Sequence, residues 1–327
     1  MNKPFKIILN ILIFLLIAGF GYYMIHSMMS KGKTSSSESE NQEDTFVSPY
    51  KKANSFDAES DIISFCISKK SIYVAQAAQV SIFSLSGRPQ SNFQIEASPR
   101  DIVVEDETMY LLYPTRIVLY SLEGQKQSEW KACGENTDYC SFTTTEDYVF
   151  VADAENKHIC QYDKQGRFVR FIKSPEGFVI PSYSFGIISI NDTIYCSNSG
   201  RHRVESYTLD GEFITSFGAA GTQAEAFSGC CNPVYLEKGF DGNILTSEKG
   251  NPRISYYGKN GKFRAILFDS NMLGGGADAY KIKVSGENIY IANGKTISGY
   301  YKDGTCPSAI TGKSCAECEA VCPFGKK

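Results

Sequence analysis

Two hydrophobic patterns follow one another along the chain. Residues 7–25 form a nearly uninterrupted apolar run, IILNILIFLLIAGFGYYMI, which as a helix would reach about 28 Å, enough to cross a bilayer core. The next stretch, KGKTSSSESENQED, is polar and lacks an apolar period, as is typical of a flexible linker. Beyond it, short apolar runs between turns rich in Gly, Asn and Asp predict β-strands. The pattern divides the chain into a signal anchor or transmembrane helix (1–30), a flexible polar tether (31–44), a β domain (45–304) and a Cys-rich tail (305–327).

The N-terminal apolar run fits either a cleaved secretory signal or an uncleaved membrane anchor. No A-x-A cleavage pattern and no lipobox cysteine follows it, which favours the anchor. Lys3 and Lys6 precede the run and Lys31 and Lys33 follow it, so the positive-inside rule only slightly favours a cytoplasmic N-terminus. A short tail before a large domain is also typical of signal anchors. We expect a single-pass membrane protein with its β domain outside the cytoplasm, in the periplasm or at the cell surface.

The β domain contains six copies of one pattern: an apolar strand, a polar turn, a second strand and a turn with glycine. The turn glycines recur every 37 to 50 residues, a spacing typical of propeller blades. A further strand precedes each copy and usually one follows it, so four short strands make one blade. The sequence therefore predicts an all-β, six-bladed propeller. The glycines are Gly87, Gly124, Gly166, Gly211, Gly261 and Gly304.

The last copy lacks its fourth strand, because TCPSAITGK does not have the pattern of one. The segment TFVSPYKKANSF, directly after the tether, is expected to supply that strand. This pairing would close the ring of blades.

A polar turn in these copies leads to Arg and a β-branched residue at the start of the third strand. Arg203-Val204 and Arg253-Ile254 fit this pattern, Arg116-Ile117 fits it in part, and the third copy has His158-Ile159 instead. On these residues the β domain resembles the NHL-repeat family of six-bladed propellers, over roughly residues 61–304. The resemblance implies the fold; the family includes enzymes, which often hold a metal through His or acidic residues in the central channel, as well as binding scaffolds.

Charge and histidine content narrow the classes of function. The chain has 33 basic and 36 acidic residues and a net charge of −3, which does not suggest the concentrated basic surface that nucleic acids need. It has three histidines and no HExxH, GxSxG or phosphate-loop motif. His158 and His202 occupy similar turn positions and are expected to be exposed. These features favour a binding protein over an enzyme, and a propeller lyase or lactonase is the least favoured hypothesis.

Seven of the eleven cysteines lie in the β domain. Cys66, Cys160 and Cys196 fall in predicted strands and are expected to be buried, inert thiols. The others lie in connections between blades, which gather on one face around the channel mouth and which we take to be the long ones. There we expect disulfides, Cys133 with Cys140, and Cys230 or Cys231 with another cysteine; the alternative is a thiol-based metal or redox site. The predicted binding face comprises Cys133, Cys140, Tyr183, Cys230, Cys231 and Asn232.

The tail holds the other four cysteines, Cys306, Cys315, Cys318 and Cys322. The spacing Cys315-x2-Cys318-x3-Cys322-Pro323 resembles the second part of a bacterial ferredoxin motif, although the third cysteine of the usual triplet is missing. Four converging thiolates could hold a [4Fe–4S] cluster or zinc. An exported cluster would favour a twin-arginine signal, which the N-terminus lacks, so disulfides are preferred over a metal centre. No cofactor is therefore expected.

Two main hypotheses for the function follow. The leading one is a membrane-tethered, extracytoplasmic propeller that binds a protein or a small ligand through the face with the long connections, because a rigid scaffold that presents loops commonly works in this way. The alternative is a redox or electron-transfer accessory protein whose tail carries an iron–sulfur cluster.

Overall fold

The structure, a computed structural model, describes residues 19, 47–305 and 307–311. The tether, the predicted span apart from Gly19, and the tail cysteines Cys306, Cys315, Cys318 and Cys322 lie outside the described residues. In the part of the chain that is described, no helix is long and apolar enough to cross a membrane.

The described chain from residue 47 onwards forms six antiparallel sheets of four strands each. The first sheet contains β2 (Ser64–Ser68), β3 (Ser71–Ala75), β4 (Gln79–Ser84) and β5 (Pro89–Gln94). The second contains β6 (Asp101–Glu105), β7 (Thr108–Tyr113), β8 (Arg116–Ser121) and β9 (Lys126–Lys131). The third contains β10 (Tyr139–Thr144), β11 (Tyr148–Asp153), β12 (His158–Asp163) and β13 (Phe168–Ile172).

The other three sheets follow the same order. The fourth contains β14 (Ile187–Ile190), β15 (Thr193–Asn198), β16 (Arg203–Thr208) and β17 (Phe213–Phe217). The fifth contains β18 (Tyr235–Lys238), β19 (Ile244–Glu248), β20 (Arg253–Tyr257) and β21 (Phe263–Phe268). The sixth contains β22 (Lys281–Ser285), β23 (Asn288–Asn293), β24 (Thr296–Lys302) and β1 (Tyr50–Asp57). Two 3-10 helices, Pro181–Tyr183 and Ser199–Arg201, and a short helix α1, Ser308–Thr311, complete the described elements.

The first strands of the sheets, β2, β6, β10, β14, β18 and β22, contact one another in a closed order around the centre. The predicted all-β, six-bladed propeller is therefore confirmed. The ring closes where β1 pairs with β24, with Tyr50 opposite Lys302 and Phe56 opposite Ile297. The prediction that the segment after the tether supplies the missing strand is also confirmed.

The hydrophobic core lies between neighbouring sheets. The second and third strands are buried on both faces, as in SIYVA of β3 and YVFVAD of β11, because each sheet packs against a sheet on either side. The outer strands are more exposed; some, such as PQSNFQ of β5, are polar, and others, such as FVRFI of β13, are apolar. Between the second and third sheets, for example, Leu112, Leu119 and Val151 belong to one buried cluster. Burial between sheets, rather than within any one of them, thus stabilises the blades.

The connections from each outer strand to the next inner strand all lie on one side of the ring, because four antiparallel strands return the chain to the same side. We call this side the connection face. Its connections are residues 58–63, 95–100, 132–138, 173–186, 218–234 and 269–280. The last three are the longest, so the expectation that the segment with Cys133 and Cys140 is a long connection is wrong; Cys140 in fact lies within β10.

Candidate functional site

A cavity of about 270 Å³ opens at the mouth of the central channel on the connection face. It is lined by residues at or just before the starts of the six inner strands, and by the connection 173–186. Among these lining residues two are cationic and none is acidic. They are Ile63, Arg100, Cys140, Ser141, Ser182, Tyr183, Ser184, Phe185, Gly186, Val234, Tyr235 and Lys281.

A smaller cavity of about 40 Å³ adjoins the first and shares Ser141, Gly186, Tyr235 and Lys281 with it. Side chains of all six blades contribute to its lining, so it belongs to the central channel. The two cavities together form what we call the mouth site.

Lys281 lies at the junction of the two cavities. Its ammonium group donates to Ser64 Oγ at 3.2 Å and lies 3.4 Å from Asp101 Oδ1. Ser64 Oγ in turn donates to Asp101 at 2.5 Å. The ammonium also lies 5.0 Å from the centre of the Tyr235 ring, within the range of a cation–π contact. Lys281 is therefore held in place from three directions while it still lines the larger cavity.

Deeper in the channel, Lys283 donates to Glu237 Oε2 at 2.7 Å. Burial opposes a charge on Lys283, but the carboxylates of Glu237 and Asp101 outweigh it and hold the pKa of Lys283 above its ordinary value. A charged pair at this depth fixes the inner strands β18 and β22 relative to each other.

Arg100 is the more accessible cation of the mouth site. Its guanidinium is half-exposed, and the nearest carboxylate, Asp138, lies 3.4 Å away and outside the cavity lining. Because that contact is long and open to water, most of the five N–H donors of Arg100 remain available. Arg100 can thus donate to an anionic group that enters the cavity.

One wall of the cavity is formed by the 3-10 helix Pro181–Tyr183. Ser182 and Tyr183 both have φ of +56°, a conformation that residues other than glycine adopt rarely. The segment is held by hydrogen bonds from Ser199 Oγ to Ser184 O, at 2.7 Å, and from Ser141 Oγ to Phe185 O. The side chain of Tyr183 is exposed beside the opening. Strained residues of this kind are concentrated at functional sites, which is consistent with the predicted role of Tyr183.

Cys140 also lines the cavity, but its thiol is unreactive. The Sγ atom donates weakly to Asp138 O at 3.5 Å. Burial, followed by the charge of Asp138, raises the pKa of Cys140 to about 12. The thiol therefore stays protonated at neutral pH and is not a candidate nucleophile or metal ligand.

The predicted disulfide between Cys133 and Cys140 is wrong. Cys133 is instead bonded to Cys160 of β12, and Cys140 is free. The reason is that Cys133 packs against the hydrophobic cluster that contains Cys160, whereas Cys140 lies in β10 and lines the channel mouth. Cys66 and Cys196 are buried free thiols as predicted, whereas Cys160 is buried but not a free thiol.

The Cys133–Cys160 pair has His158 as a neighbour. The two sulfur atoms and a ring nitrogen of His158 lie within 4.8 Å of one another, a grouping that could otherwise hold a metal. Because both sulfur atoms are bonded to each other in the disulfide, neither is available as a thiolate ligand for a metal. This group is interior and separate from the C-terminal tail.

Cys230, Cys231 and Asn232 lie in the connection 218–234 but outside the lining of the mouth site. Neither cysteine forms the expected disulfide with a distant cysteine within the described residues. Asn232 is buried, and its side-chain amide bonds the backbone of Ser228 and Lys249. It shapes this connection from within and is not available to a ligand.

The expectation that His158 is exposed is also wrong. His158 is opposite Asp153 across the β11–β12 pair, just as Arg203 is opposite Asn198, so it is the equivalent of Arg203 rather than of His202. Its ring is buried against Phe171, with the ring centres 4.2 Å apart. Burial lowers the pKa of His158, because desolvation disfavours the imidazolium and outweighs the charge of Asp153.

Of the six predicted face residues, the mouth site thus contains Cys140 and Tyr183. Sequence reasoning missed Arg100, Tyr235 and Lys281, which are far apart in the chain and form no local motif. A signal was present, however: each lies at the same place in its repeat, at or directly before the start of the first strand of a blade. Aligning the blades on their inner strands would have brought these positions together.

Comparison with known proteins identifies the fold. No protein-family model and no curated protein sequence matches the chain. Among solved structures, a catalytically inactive virginiamycin B lyase from Staphylococcus aureus with quinupristin is similar, with a TM-score of 0.56 and 13% identity over 77% of this chain and 99% of that chain.

Two further structures extend the comparison. A streptogramin B lyase has a TM-score of 0.54 and 13% identity over 77% of this chain and 97% of that chain. The Neurospora crassa Pan2 WD40 domain has a TM-score of 0.53 and 8% identity over 80% of this chain and 98% of that chain. At such low identity these similarities establish the β-propeller fold and nothing finer, and the NHL-repeat resemblance stays a prediction.

Proposed function

We propose that this protein is a membrane-tethered, extracytoplasmic β-propeller of the NHL-repeat type that binds a protein or a small ligand at the mouth site. The observation that carries the proposal is the cavity of about 270 Å³ at the centre of the connection face, lined from all six blades. Concave, preformed sites with a few convergent polar groups are where proteins of this kind bind their ligands.

The charge of the mouth site indicates which group the ligand presents. The larger cavity is lined by Arg100 and Lys281, by hydroxyl groups of serine and tyrosine, and by no acidic side chain. Lys281 is already close to Asp101, whereas Arg100 has only a long contact with Asp138. A carboxylate or another anionic group of the ligand would therefore pair with Arg100, and Tyr183 and Tyr235 would contact its apolar part.

The proposed location outside the cytoplasm has two supports. One is the apolar run of residues 7–25 with its short preceding tail. The other is the Cys133–Cys160 disulfide, because disulfides persist in oxidising compartments and are rare in the cytosol. Nothing in the described residues supports the alternative of an electron-transfer protein with an iron–sulfur cluster.

Site-specific photocrosslinking tests the binding proposal. A benzophenone amino acid would be placed at Tyr183, beside the mouth site, and in a matched control at Phe168, which is exposed on the outer strand β13. We expect a crosslinked product in native membranes from position 183 and none from position 168. Arg100→Met should reduce the yield, while Arg264→Met, an exposed arginine of β21, should not.

Equal products at both positions, or a yield that is insensitive to Arg100→Met, would rule out the mouth site as the binding surface. For a small ligand, native mass spectrometry of the purified protein replaces the crosslink. A bound mass that is lost in Arg100→Met and kept in Arg264→Met is then the expected result.

The membrane proposal is tested separately. We expect the full chain to resist carbonate extraction and a chain lacking residues 1–30 to be soluble. Protease added to intact cells should digest the β domain. A protected β domain would reverse the proposed orientation without affecting the mouth site.

A further inference from the structure

Two consecutive cysteines lie side by side on the connection face. The Sγ atoms of Cys230 and Cys231 are 3.0 Å apart. A disulfide bond needs about 2.0 Å, so an approach of about 1 Å would join them. Neither sulfur is bonded to another cysteine of the described chain, which leaves both free to react with each other.

The two thiols differ in accessibility. Cys230 is exposed to solvent, whereas Cys231 is completely buried. A reagent in solution therefore reaches the sulfur of Cys230 before that of Cys231.

The two thiols also differ in acidity. Burial opposes ionisation of Cys231, but hydrogen bonds from Cys230, Lys249 and Ser182, together with the charge of Lys249, outweigh it and lower the pKa of Cys231. The pKa of Cys230 is raised, because a thiolate on Cys231 holds the Cys230 proton in a hydrogen bond. When the pair loses its first proton, the negative charge therefore lies on the buried sulfur of Cys231.

The backbone around the pair is fixed independently of the thiols. Asn232 donates to Ser228 O at 2.6 Å and to Lys249 O at 2.9 Å, and it accepts from the backbone N–H of Lys249 at 2.9 Å. These bonds tie the segment with the cysteines to the turn that carries Lys249. The sulfur atoms are thus kept close to each other and to the ammonium group.

We propose that Cys230 and Cys231 form a thiol–disulfide exchange site that reacts with organic disulfides and closes to a disulfide between the two neighbouring residues. Cys230 attacks one sulfur of the external disulfide RSSR as its proton passes to the Cys231 thiolate. The S–S bond of RSSR breaks, RS⁻ leaves and takes that proton from Cys231, and a mixed disulfide remains on Cys230.

The second step closes the ring. The Cys231 thiolate attacks Cys230 Sγ, the mixed disulfide breaks, and the second RS⁻ leaves. The two cysteines have together lost two electrons, which the external disulfide has gained in becoming one thiol RSH and one thiolate RS⁻. The new bond closes an eight-membered ring that includes the peptide bond between the residues. The site lies outside the mouth-site lining, so this proposal does not depend on ligand binding there.

Mass spectrometry of the full chain tests the proposal. The reduced, desalted protein would be incubated with oxidised glutathione, alkylated and digested with trypsin. Residues 204–238 form one tryptic peptide whose only cysteines are Cys230 and Cys231. We expect this peptide to become two hydrogens lighter and to resist alkylation. Cys66 and Cys196, whose pKa values burial raises, should remain alkylatable after denaturation.

Two variants assign the roles of the thiols. Cys231→Ser should stop at the first step, with one glutathione on Cys230. Cys230→Ser should acquire none, because Cys231 is buried. Lys249→Met should slow ring closure on the order of tenfold, since it removes a cation that stabilises the thiolate.

Three results would overturn the proposal. The wild-type peptide could stay fully alkylatable, it could carry two glutathiones, or one of its cysteines could be found linked to a different cysteine. All three results are measured on the wild-type protein, so the test remains valid even if a variant fails to fold. Equal glutathione labelling of folded Cys230→Ser and Cys231→Ser would also contradict the assigned order of attack.

Discussion

At the scale of single residues, buried carboxylates are matched by arginines at the start of the third strand. Arg253 donates to Glu248 Oε1 at 2.8 Å and to Oε2 at 2.9 Å, and Ser255 donates to the same carboxylate at 3.0 Å. Arg203 donates to Oε1 of the buried carboxylate of Glu205 at 2.8 Å. Both carboxylates are completely buried, so each depends on its partners to offset the cost of losing water.

Removing one arginine should expose that dependence. We expect Arg253→Met to lower the free energy of unfolding by about 3–5 kcal/mol, because Glu248 is left buried without its cation. Urea unfolding followed by Trp130, the single tryptophan, measures this loss. Arg264→Met, an exposed arginine in the same sheet, is the control and should change the stability little.

The same variant has an expected pH dependence. Burial raises the pKa of Glu248, and Arg253 opposes the rise, so the pKa should climb further in Arg253→Met. A carboxyl group with a higher pKa in the folded than in the unfolded chain stabilises the fold only while protonated. The variant should therefore lose more stability than the wild type as the pH rises from about 4 to about 7. Parallel pH curves for the two proteins would contradict this account.

Sequence reasoning found the arginines of these pairs but not the buried carboxylates that they bind. Arg203 and Arg253 were recognisable because an Arg before a β-branched residue recurs at a fixed place after a polar turn. The carboxylates that they bind come from different positions, Glu205 on the same strand and Glu248 on the preceding one, so no fixed spacing reveals them. His158 was misjudged for a related reason, since its polar turn suggested exposure while its register placed it at a buried strand start.

At the scale of the elements, the turn between the third and fourth strands of a blade packs against the outer strand of the preceding blade. Gly166 lies against Trp130 of β9, and Gly124 lies against Phe93 of β5. Both glycines have positive φ, and a Cβ atom at either would overlap the aromatic ring. The contact explains why β5 and β9, which are otherwise polar, each carry one large apolar residue. It also explains the turn glycines of five of the six repeats, whereas no atom lies within 4 Å of the Cβ position of Gly304.

A pair of glycine substitutions separates backbone strain from this packing. Gly166→Ala adds a positive-φ alanine and an overlap with Trp130, whereas Gly250→Ala adds only the strain, since no atom lies within 4 Å of its Cβ position. We expect Gly250→Ala to cost about 1 kcal/mol. Gly166→Ala should cost about 1–3 kcal/mol more. Urea unfolding followed by circular dichroism measures both, and equal losses would refute the packing role.

The elements were predictable where their signals are local, and unpredictable where partners meet across sheets. Alternating apolar residues and turn glycines lie within a few positions of each other, so the blades could be counted from the sequence. The Cys133–Cys160 bond instead joins a connection leaving the second sheet to the third strand of the next sheet. The mouth site likewise combines Arg100, Tyr235 and Lys281 from three separate blades. Such contacts follow from the closed ring and from no single segment.

At the scale of the whole molecule, the ring closes where β1 pairs with β24, a pairing that we call the joint. β1 is the only strand of its sheet that comes from the N-terminal side of the propeller, and it covers the edge of β24. Tyr50 of β1 packs on Phe268, and Phe56 packs on Phe83 of the first sheet, with ring centres 5.5 and 4.9 Å apart. The strand therefore contacts the blades on both sides of the joint and holds the ring closed.

Two deletions that differ only in β1 test this joint. A chain that starts at Val47 keeps the strand, whereas a chain that starts at Ala58 loses it together with Tyr50 and Phe56. Removing a buried aromatic side chain costs about 3–5 kcal/mol. Tyr50 is buried and Phe56 is half-buried, so their loss together approaches the lower end of the whole stability of a typical domain, about 5–15 kcal/mol. We expect the shorter chain to melt far lower or to aggregate through the uncovered edge of β24, as differential scanning calorimetry and light scattering would show.

Restoring the strand in another place separates the joint from a general effect of truncation. In the sheet, β1 runs antiparallel to β24, so a tight turn after Gly304 followed by residues 47–57 can return the same strand to the same edge. We expect this permuted chain to recover most of the melting temperature, because the pairing and both aromatic contacts are regained. A chain starting at Ala58 that melts like the one starting at Val47 would contradict the closure. A permuted chain that stays unstable would show that β1 must be joined to β2 for the ring to hold.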